Sequence, residues 1–290
     1  MKVRMECVPC YLQQVLSAIK IGEFPEERAN DVFNAAMRII PQLDPDASPA
    51  ENSTLVLLEA YKAMGVDDPF KLAKEESNEL AEKFYPQLKK LVMQAEDPLL
   101  TAFKVSVAGN IIDMGIMPEF DLDEALAEIT EKEFDLCDYD EFKHCLQKAQ
   151  KIMILADNSG EIVFDKLLVL VLQAYGKDVT YVVKAAPILN DVTMDDAVAT
   201  GMAQIAEVIT NGAGFLGTVL HRCSQDFLTG FAEADLVIGK GQANFESLEG
   251  TEFAGAKTFF VLRAKCDLVA NCAGVRFGDT IFMRNKVKTS

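Results

Sequence analysis

The sequence predicts an α/β protein, with a Rossmann-like three-layer α/β/α core built on a mainly parallel sheet and preceded by an all-helical N-terminal lobe. Three observations lead there. Up to about residue 147 the apolar residues recur at helical spacing between Gly and Pro punctuation. From Lys151 onward, short apolar runs alternate with helical segments, which calls for parallel strands joined by right-handed crossovers. The run 151–156, rich in Ile and Leu, passes directly into the polar turn Asp157-Asn158-Ser159-Gly160-Glu161 and then into a helical pattern. That places the turn at the carboxyl edge of a sheet, where open α/β folds bind ligands.

Taken in order, residues 7–21 form a helix closed by Gly22 and Pro25, and residues 26–40 a second stopped by Pro41. Ser48-Pro49-Ala50-Glu51 starts a third, with Ser48 as N-cap, Pro49 at the first helical position and Glu51 able to reach back as a capping box; it runs to Gly65. Pro69 opens a helix running towards Gln94 with a break expected near Pro86, Pro98 opens another, and 123–130 and 139–147 are shorter ones. Strands are expected at 152–156, 179–183, 207–210, 235–239, 259–263 and 280–283, and helices at 160–175, 194–200, 217–232, 244–249 and 267–273. The division falls near residue 150, giving a helical lobe over 1–150 and a Rossmann-like metal- and substrate-binding domain over 151–290.

Composition excludes several classes. With 28 Lys and Arg against 45 Asp and Glu, the formal charge is −17, a field that repels phosphate backbones and anionic membrane surfaces. Nucleic acid and membrane are therefore not expected as partners. A small anionic substrate needs local neutralisation, by a metal ion or a placed Lys. No stretch approaches the roughly eighteen apolar residues of a membrane span, and the charged start MKVRMECVPC lacks a signal-peptide core, so a cytoplasmic location is expected. Seven cysteines in a chain of 290 residues read as reduced thiols.

Asp157 and Asn158 set a carboxylate beside an amide oxygen at a strand end, a donor pair suited to a hard cation such as Mg²⁺ or Mn²⁺. The alternative is that Asn158 is an N-cap and Glu161 completes a capping box. Capping does not account for Asp191, which follows the next strand on the same sheet edge and could converge on an ion held by Asp157; a turn role is its alternative, and Asp195 and Asp196 read as helix-start charges. Asn211, before Gly212 and ahead of Gly217-Thr218, could help cradle an anion. Lys240 follows an apolar run and could set a compact positive charge against a phosphoryl oxygen, or be a solvated surface lysine. Asn110 and Asp113 share one helix face among apolar residues, where they either contact substrate or tie the lobe to the sheet. Cys7 and Cys10 have the CxxC spacing of a zinc half-site or redox pair, yet Cys266 and Cys272 are five residues apart and neither His144 nor His221 has ligand spacing, so structural helix cysteines are favoured with an accessory role open.

Five stretches in order, ECVPCYLQQ, GNIIDMG, ADNSGE, the PxxNDVT segment 187–193 and GKGQANFE, together resemble domain-of-unknown-function family 89. It is also called the damage-control phosphatase or acidic-residue-methyltransferase-like family, and the chain resembles its archaeal and bacterial branch with the N-terminal CxxC. The resemblance implies a helical region on a Rossmann-like core and a divalent metal, Mg, Mn, Co or Ni, on Asp157, Asn158 and Asp191. It further implies substrate contacts from Asn110, Asp113 and Lys240, and metal-dependent hydrolysis of sugar phosphates or damaged phosphometabolites. Where many members carry Lys-Gly-Asp, this chain has Lys240-Gly241-Gln242.

The mechanism expected from these residues is phosphomonoester hydrolysis with Asp157 and Lys240 as catalytic groups and the N–H groups near Ser159 and Gly160 binding phosphoryl oxygens. A phospho-Asp157 intermediate with a partner acid two residues on is not supported, since Ser159 stands there. The competing readings are carboxyl methyl transfer from S-adenosylmethionine, which usually wants a more glycine-rich turn than ADNSGE, and a non-catalytic metal- or nucleotide-binding protein.

Overall fold

A computed structural model describes residues 1–108, 127, 129 and 131–287. The first 108 residues form helices α1 (Val8–Ile21), α2 (Glu26–Ile39), α3 (Pro49–Met64), α4 (Lys71–Gln94) and α5 (Pro98–Ser106). Ser48 caps α3 as expected, its hydroxyl accepting from the Glu51 N–H at 3.2 Å, and Gly65 closes that helix with a left-handed φ of 69°. The Glu51 carboxylate does not close a capping box; it lies 2.9 Å from His221 Nε2 and 3.6 Å from Arg222 Nε. α4 runs unbroken through Pro86, which is exposed, so water can take the carbonyl that a helical proline leaves without a partner.

The remaining elements are β1 (Leu136–Cys137), α6 (Tyr139–Lys148), β2 (Lys151–Leu155), α7 (Glu161–Ala174), β3 (Asp178–Val183), α8 (Met194–Ala199), β4 (Glu207–Thr210), α9 (Gln225–Glu233), β5 (Leu236–Lys240), α10 (Gly241–Leu248), β6 (Thr258–Arg263), α11 (Asp267–Ala273) and β7 (Thr280–Arg284). The described strands make one sheet in the order β1-β7-β6-β5-β2-β3-β4. Every pairing is parallel except β6 with β7. The helix expected from residue 217 begins instead at Gln225, where the Ser224 hydroxyl accepts the Phe227 N–H.

The two-residue period of β2 divides its apolar side chains between the sheet faces. Ile152 and Ile154 join a core with Leu88 of α4, Phe103 of α5, Phe142 of α6 and Leu168 of α7. Met153 and Leu155 join Phe231 of α9, Phe245 of α10 and Val269 of α11 on the opposite face. Both faces of the central strand are thus covered, which explains its unbroken apolar sequence. A third core, with Tyr11, Val32 and Leu57 from α1, α2 and α3, takes in Ile188 and Leu216 from loops beyond the sheet's carboxyl edge. Hydrophobic packing does not divide at residue 150: α4, α5 and α6 share a core with the sheet, while α1 to α3 cap its carboxyl end.

Candidate active site

β2 ends at Leu155, and the chain continues through Ala156 to Asp157 and Asn158. The loop after β3 turns back to meet it: Ser159 N–H donates to the Asn190 carbonyl at 2.8 Å and Val192 N–H to the Asp157 carbonyl at 3.0 Å, so that Asn158 faces Asp191 across an antiparallel bridge. Asp191 is thus brought beside Asp157 by backbone pairing. Leu189, just before this bridge, holds a left-handed φ of 45°, a strained conformation for a residue with a side chain, and its N–H donates to the Tyr61 hydroxyl at 3.1 Å. Helix α3 therefore helps to hold the Asp191 loop.

Gly241, the first residue of α10, closes the site from below. Its φ is 76°, and a β-carbon there would lie 1.9 Å from Asp157 Oδ2, so only glycine lets α10 start against that carboxylate. The Asn158 amide nitrogen donates to Asp157 Oδ2 at 3.0 Å, which leaves the Asn158 carbonyl oxygen as a donor to a cation. Asn244 of α10 fastens the strand ends by donating to the Ala156 and Lys240 carbonyls at 3.0 and 2.7 Å.

The two acids resist ionising together. Burial, with the nearby charges of Glu161 and Asp191, pushes Asp157 up to about 8. Burial likewise pushes Asp191 up to about 6, opposed by Lys184, whose ammonium lies 3.5 Å from Asp191 Oδ2 and also donates to the Gly217 carbonyl. Oxygen donors in a desolvated anionic pair fit a hard divalent cation, which would relieve the repulsion that raises Asp157. Among the described residues no three His, Cys, Asp or Glu side chains gather as a metal centre; a cation between the two carboxylates would have the Asn158 carbonyl oxygen as its third protein donor.

Four expectations for individual groups are corrected. Lys240 is fully buried and lines neither cavity described below; its ammonium donates to the Ser106 carbonyl at 2.6 Å, Asp165 Oδ1 at 2.9 Å and Glu161 Oε2 at 3.3 Å. Burial acts to lower its pKa, but Asp165 and Glu161 more than offset this and leave it raised, so it is a permanent internal cation. The Ser159 N–H is taken by Asn190, and the Gly160 N–H by Asn78 Oδ1 of α4 at 2.6 Å, so neither is free for a phosphoryl oxygen. The Asn211 side chain accepts the Ala213 N–H at 3.0 Å and shapes a turn. Asp196 is the helix-start charge expected, in a capping box with Thr193, and also accepts from Asn78 at 3.0 Å. Asn110 and Asp113 lie outside the described residues.

Sequence reasoning missed Lys265. It is exposed, follows β6, and borders both cavities that meet at Asp157 and Asn158. The larger, about 1040 Å³, extends to Cys7, Cys10, Glu246 and Cys266; the smaller, about 260 Å³, is bordered by Glu161 and Arg263. Burial raises both Cys7 and Cys10. Glu246, buried and accepting from Gln242 at 2.8 Å, is pushed up by desolvation to about 7. A cation just past a strand end could have been sought in Arg263-Ala264-Lys265; only the fold brings it to Asp157.

Fold and site together define a class: a doubly covered, mainly parallel α/β protein with a candidate cation site at the carboxyl ends of its central strands. The chain belongs to the family of the damage-control phosphatase ARMT1-like domain, whose profile matches residues 3–281. It is 33% identical to a damage-control phosphatase of Pyrococcus horikoshii over 99% of this chain and 100% of that one. It is 30% identical to a damage-control phosphatase of Archaeoglobus fulgidus, over 97% of this chain and 98% of the other. The crystal structure of a DUF89 family protein from Pyrococcus horikoshii superposes with a TM-score of 0.90 at 30% identity, covering 99% of this chain and 100% of the other.

Proposed function

We propose that this protein is a divalent-metal-dependent phosphatase of small phosphomonoesters, acting at Asp157, Asn158 and Asp191. One observation carries the reading: the Asn158–Asp191 bridge brings two mutually repelling carboxylates and an amide oxygen together where two cavities meet. The names of the curated relatives support the reaction class.

A bound Mg²⁺, Mn²⁺, Co²⁺ or Ni²⁺ would supply Lewis-acid stabilisation of the charge on the phosphoryl oxygens. The protein's part is positional. Asp157 and Asp191 hold the cation, with Asn158 oriented by its own bond to Asp157. Lys265 sets an exposed positive charge beside Asp157, where it neutralises an incoming phosphate dianion that the chain's net charge of −17 would otherwise repel. Lys240 acts from beneath as the counter-charge to Glu161 and Asp165, and so limits the negative charge under Asp157. The Ser159 hydroxyl, buried and 3.4 Å from Asp196, is no substitute for a second catalytic acid.

The test is phosphate release from chelator-stripped protein with each of the four metals added back, on sugar phosphates and an aryl phosphate. Metal-dependent release that disappears in Asp157→Ala and Asp191→Ala, with both variants folded, is the expected outcome. Folded, metal-loaded wild-type protein that releases no phosphate from any of them contradicts the proposal.

A further inference from the structure

The acid pair is assembled from two parts of the molecule. Asp157 stands past the end of β2, with the glycine start of α10 closed against its carboxylate. Asp191 comes from the loop after β3, which is joined to that strand end by the bonds from the Ser159 and Val192 N–H groups. The far side of this loop is held by α3.

Thr54 and Tyr61 are two helical turns apart and so share one face of α3. Both side chains are buried, and each hydroxyl accepts a backbone N–H from a loop at the carboxyl edge of the sheet. Tyr61 accepts from Leu189 at 3.1 Å and Thr54 from Leu216 at 3.0 Å. The side chains of Ile188 and Leu216 are packed into the core formed by α1, α2 and α3. Each grip leads to Asp191 by its own route. The first is the short stretch of chain from Leu189 to Asp191. The second runs through the Gly217 carbonyl, which accepts the Lys184 ammonium that pairs with Asp191 at 3.5 Å. α3 also packs on α10, so one helix spans the elements behind both acids.

Leu189 gives the first route its importance. Its φ of 45° is one that a residue with a side chain keeps only when its surroundings enforce it. Without the Tyr61 hydroxyl, its part-buried N–H would also lack an acceptor, and a turn of the loop would relieve both penalties. We infer that Tyr61, supported by Thr54, is a positioning residue of the cation site: α3 holds the strained turn at Leu189 and so keeps Asp191 beside Asp157 and Asn158. By reciprocity, cation binding would tighten the α1–α3 cap against the sheet. The inference rests on the reading of these three residues as a cation site, but the placement of Asp191 is measurable without an ion.

The experiment uses the full chain as wild type, Tyr61→Phe, Thr54→Val and, as a control, Tyr139→Phe, which removes a hydroxyl that donates to Asp97 at 2.7 Å. Amide hydrogen exchange at Ser159 and Val192, followed by NMR in chelator, reads the bridge; calorimetry reads Mn²⁺ affinity. Tyr61→Phe should speed exchange at both amides relative to the core strands. It should also weaken Mn²⁺ binding roughly 10- to 100-fold, the range for a group that orients a metal ligand. Thr54→Val should move both readouts the same way by less, its route being longer, and Tyr139→Phe should lower the melting temperature while moving neither. In a Leu189→Gly background, where glycine adopts the left-handed φ freely, the loss on Tyr61→Phe should shrink. A Tyr61→Phe protein that melts earlier but keeps wild-type exchange at these amides and wild-type Mn²⁺ affinity has lost packing alone and overturns the inference, as does a loss undiminished in the Leu189→Gly background. Faster exchange in Tyr61→Phe, with no Mn²⁺ binding by folded wild type, keeps Tyr61 as the residue that places Asp191 and overturns the cation reading instead.

Discussion

Two groups of acids meet near the carboxyl end of β2, and they are neutralised differently. Beneath the turn, Asp165 receives Lys240 at 2.9 Å and the Tyr181 hydroxyl at 2.7 Å, and the ammonium is completed by Glu161 and the Ser106 carbonyl. Above it, Asp157 receives the Asn158 amide at 3.0 Å and Asp191 has Lys184 at 3.5 Å, and both acids are pushed towards their neutral forms. The lower cluster is satisfied by the chain itself and belongs to stability. The upper one is left with two acids repelling each other, which is the ground for proposing that a cation binds there and that the reaction is carried out beside it.

Substitutions should separate the two. The largest effect expected is on turnover: Asp157→Ala or Asp191→Ala should lower kcat by roughly 10³-fold without loss of the folded baseline in circular dichroism. Lys240→Met should act through folding instead, removing about 3–5 kcal/mol in urea unfolding, because it leaves Asp165 buried without its counter-charge. A Lys240→Met protein that unfolds like wild type yet has lost turnover would reverse the assignment of the lower cluster. Asn78→Ala, which strips partners from the Gly160 N–H and Asp196, should cost roughly 1–3 kcal/mol, read from the same denaturation curves.

The smallest effect is a pH trend in the metal-free protein. The folded Asp157 pKa, about 8, lies above its ordinary value of 3.8, so between the two the native state binds more protons than the unfolded chain and stability falls as pH rises. Since Asp157 is half-buried, the trend should amount to roughly 1 kcal/mol, and Asp157→Asn should flatten it. Thermal unfolding in chelator from pH 5 to 8 would show a flat wild-type profile if the repulsion were absent.

How much of this was legible in the sequence depended on range. Strand β4 and helix α11 lie where period and punctuation put them, because a short apolar run between turns carries its own signal. β1 has two residues and is fixed by β7, more than a hundred positions away, so no local pattern announces it. Asp157, Asn158 and Asp191 were readable as oxygen donors at neighbouring strand ends. What was not readable was direction: Lys240 follows its strand as a phosphate-binding lysine would, but its side chain turns inward to Asp165, while exposed Lys265 faces the cavities. Asn78 escaped notice for the same reason, since its partner Gly160 is 82 residues distant.

The most direct test of the central claim is calorimetric titration of Mn²⁺ into chelator-stripped wild type, Asp157→Ala and Asp191→Ala at pH 8, with melting temperatures recorded alongside. Saturable binding by wild type is predicted, with metal at about 100 times Kd adding roughly 2.7 kcal/mol to its stability, and each alanine substitution should abolish both signals. Binding undiminished in the two variants, or none in folded wild type, would contradict the assignment of Asp157, Asn158 and Asp191 as the cation site.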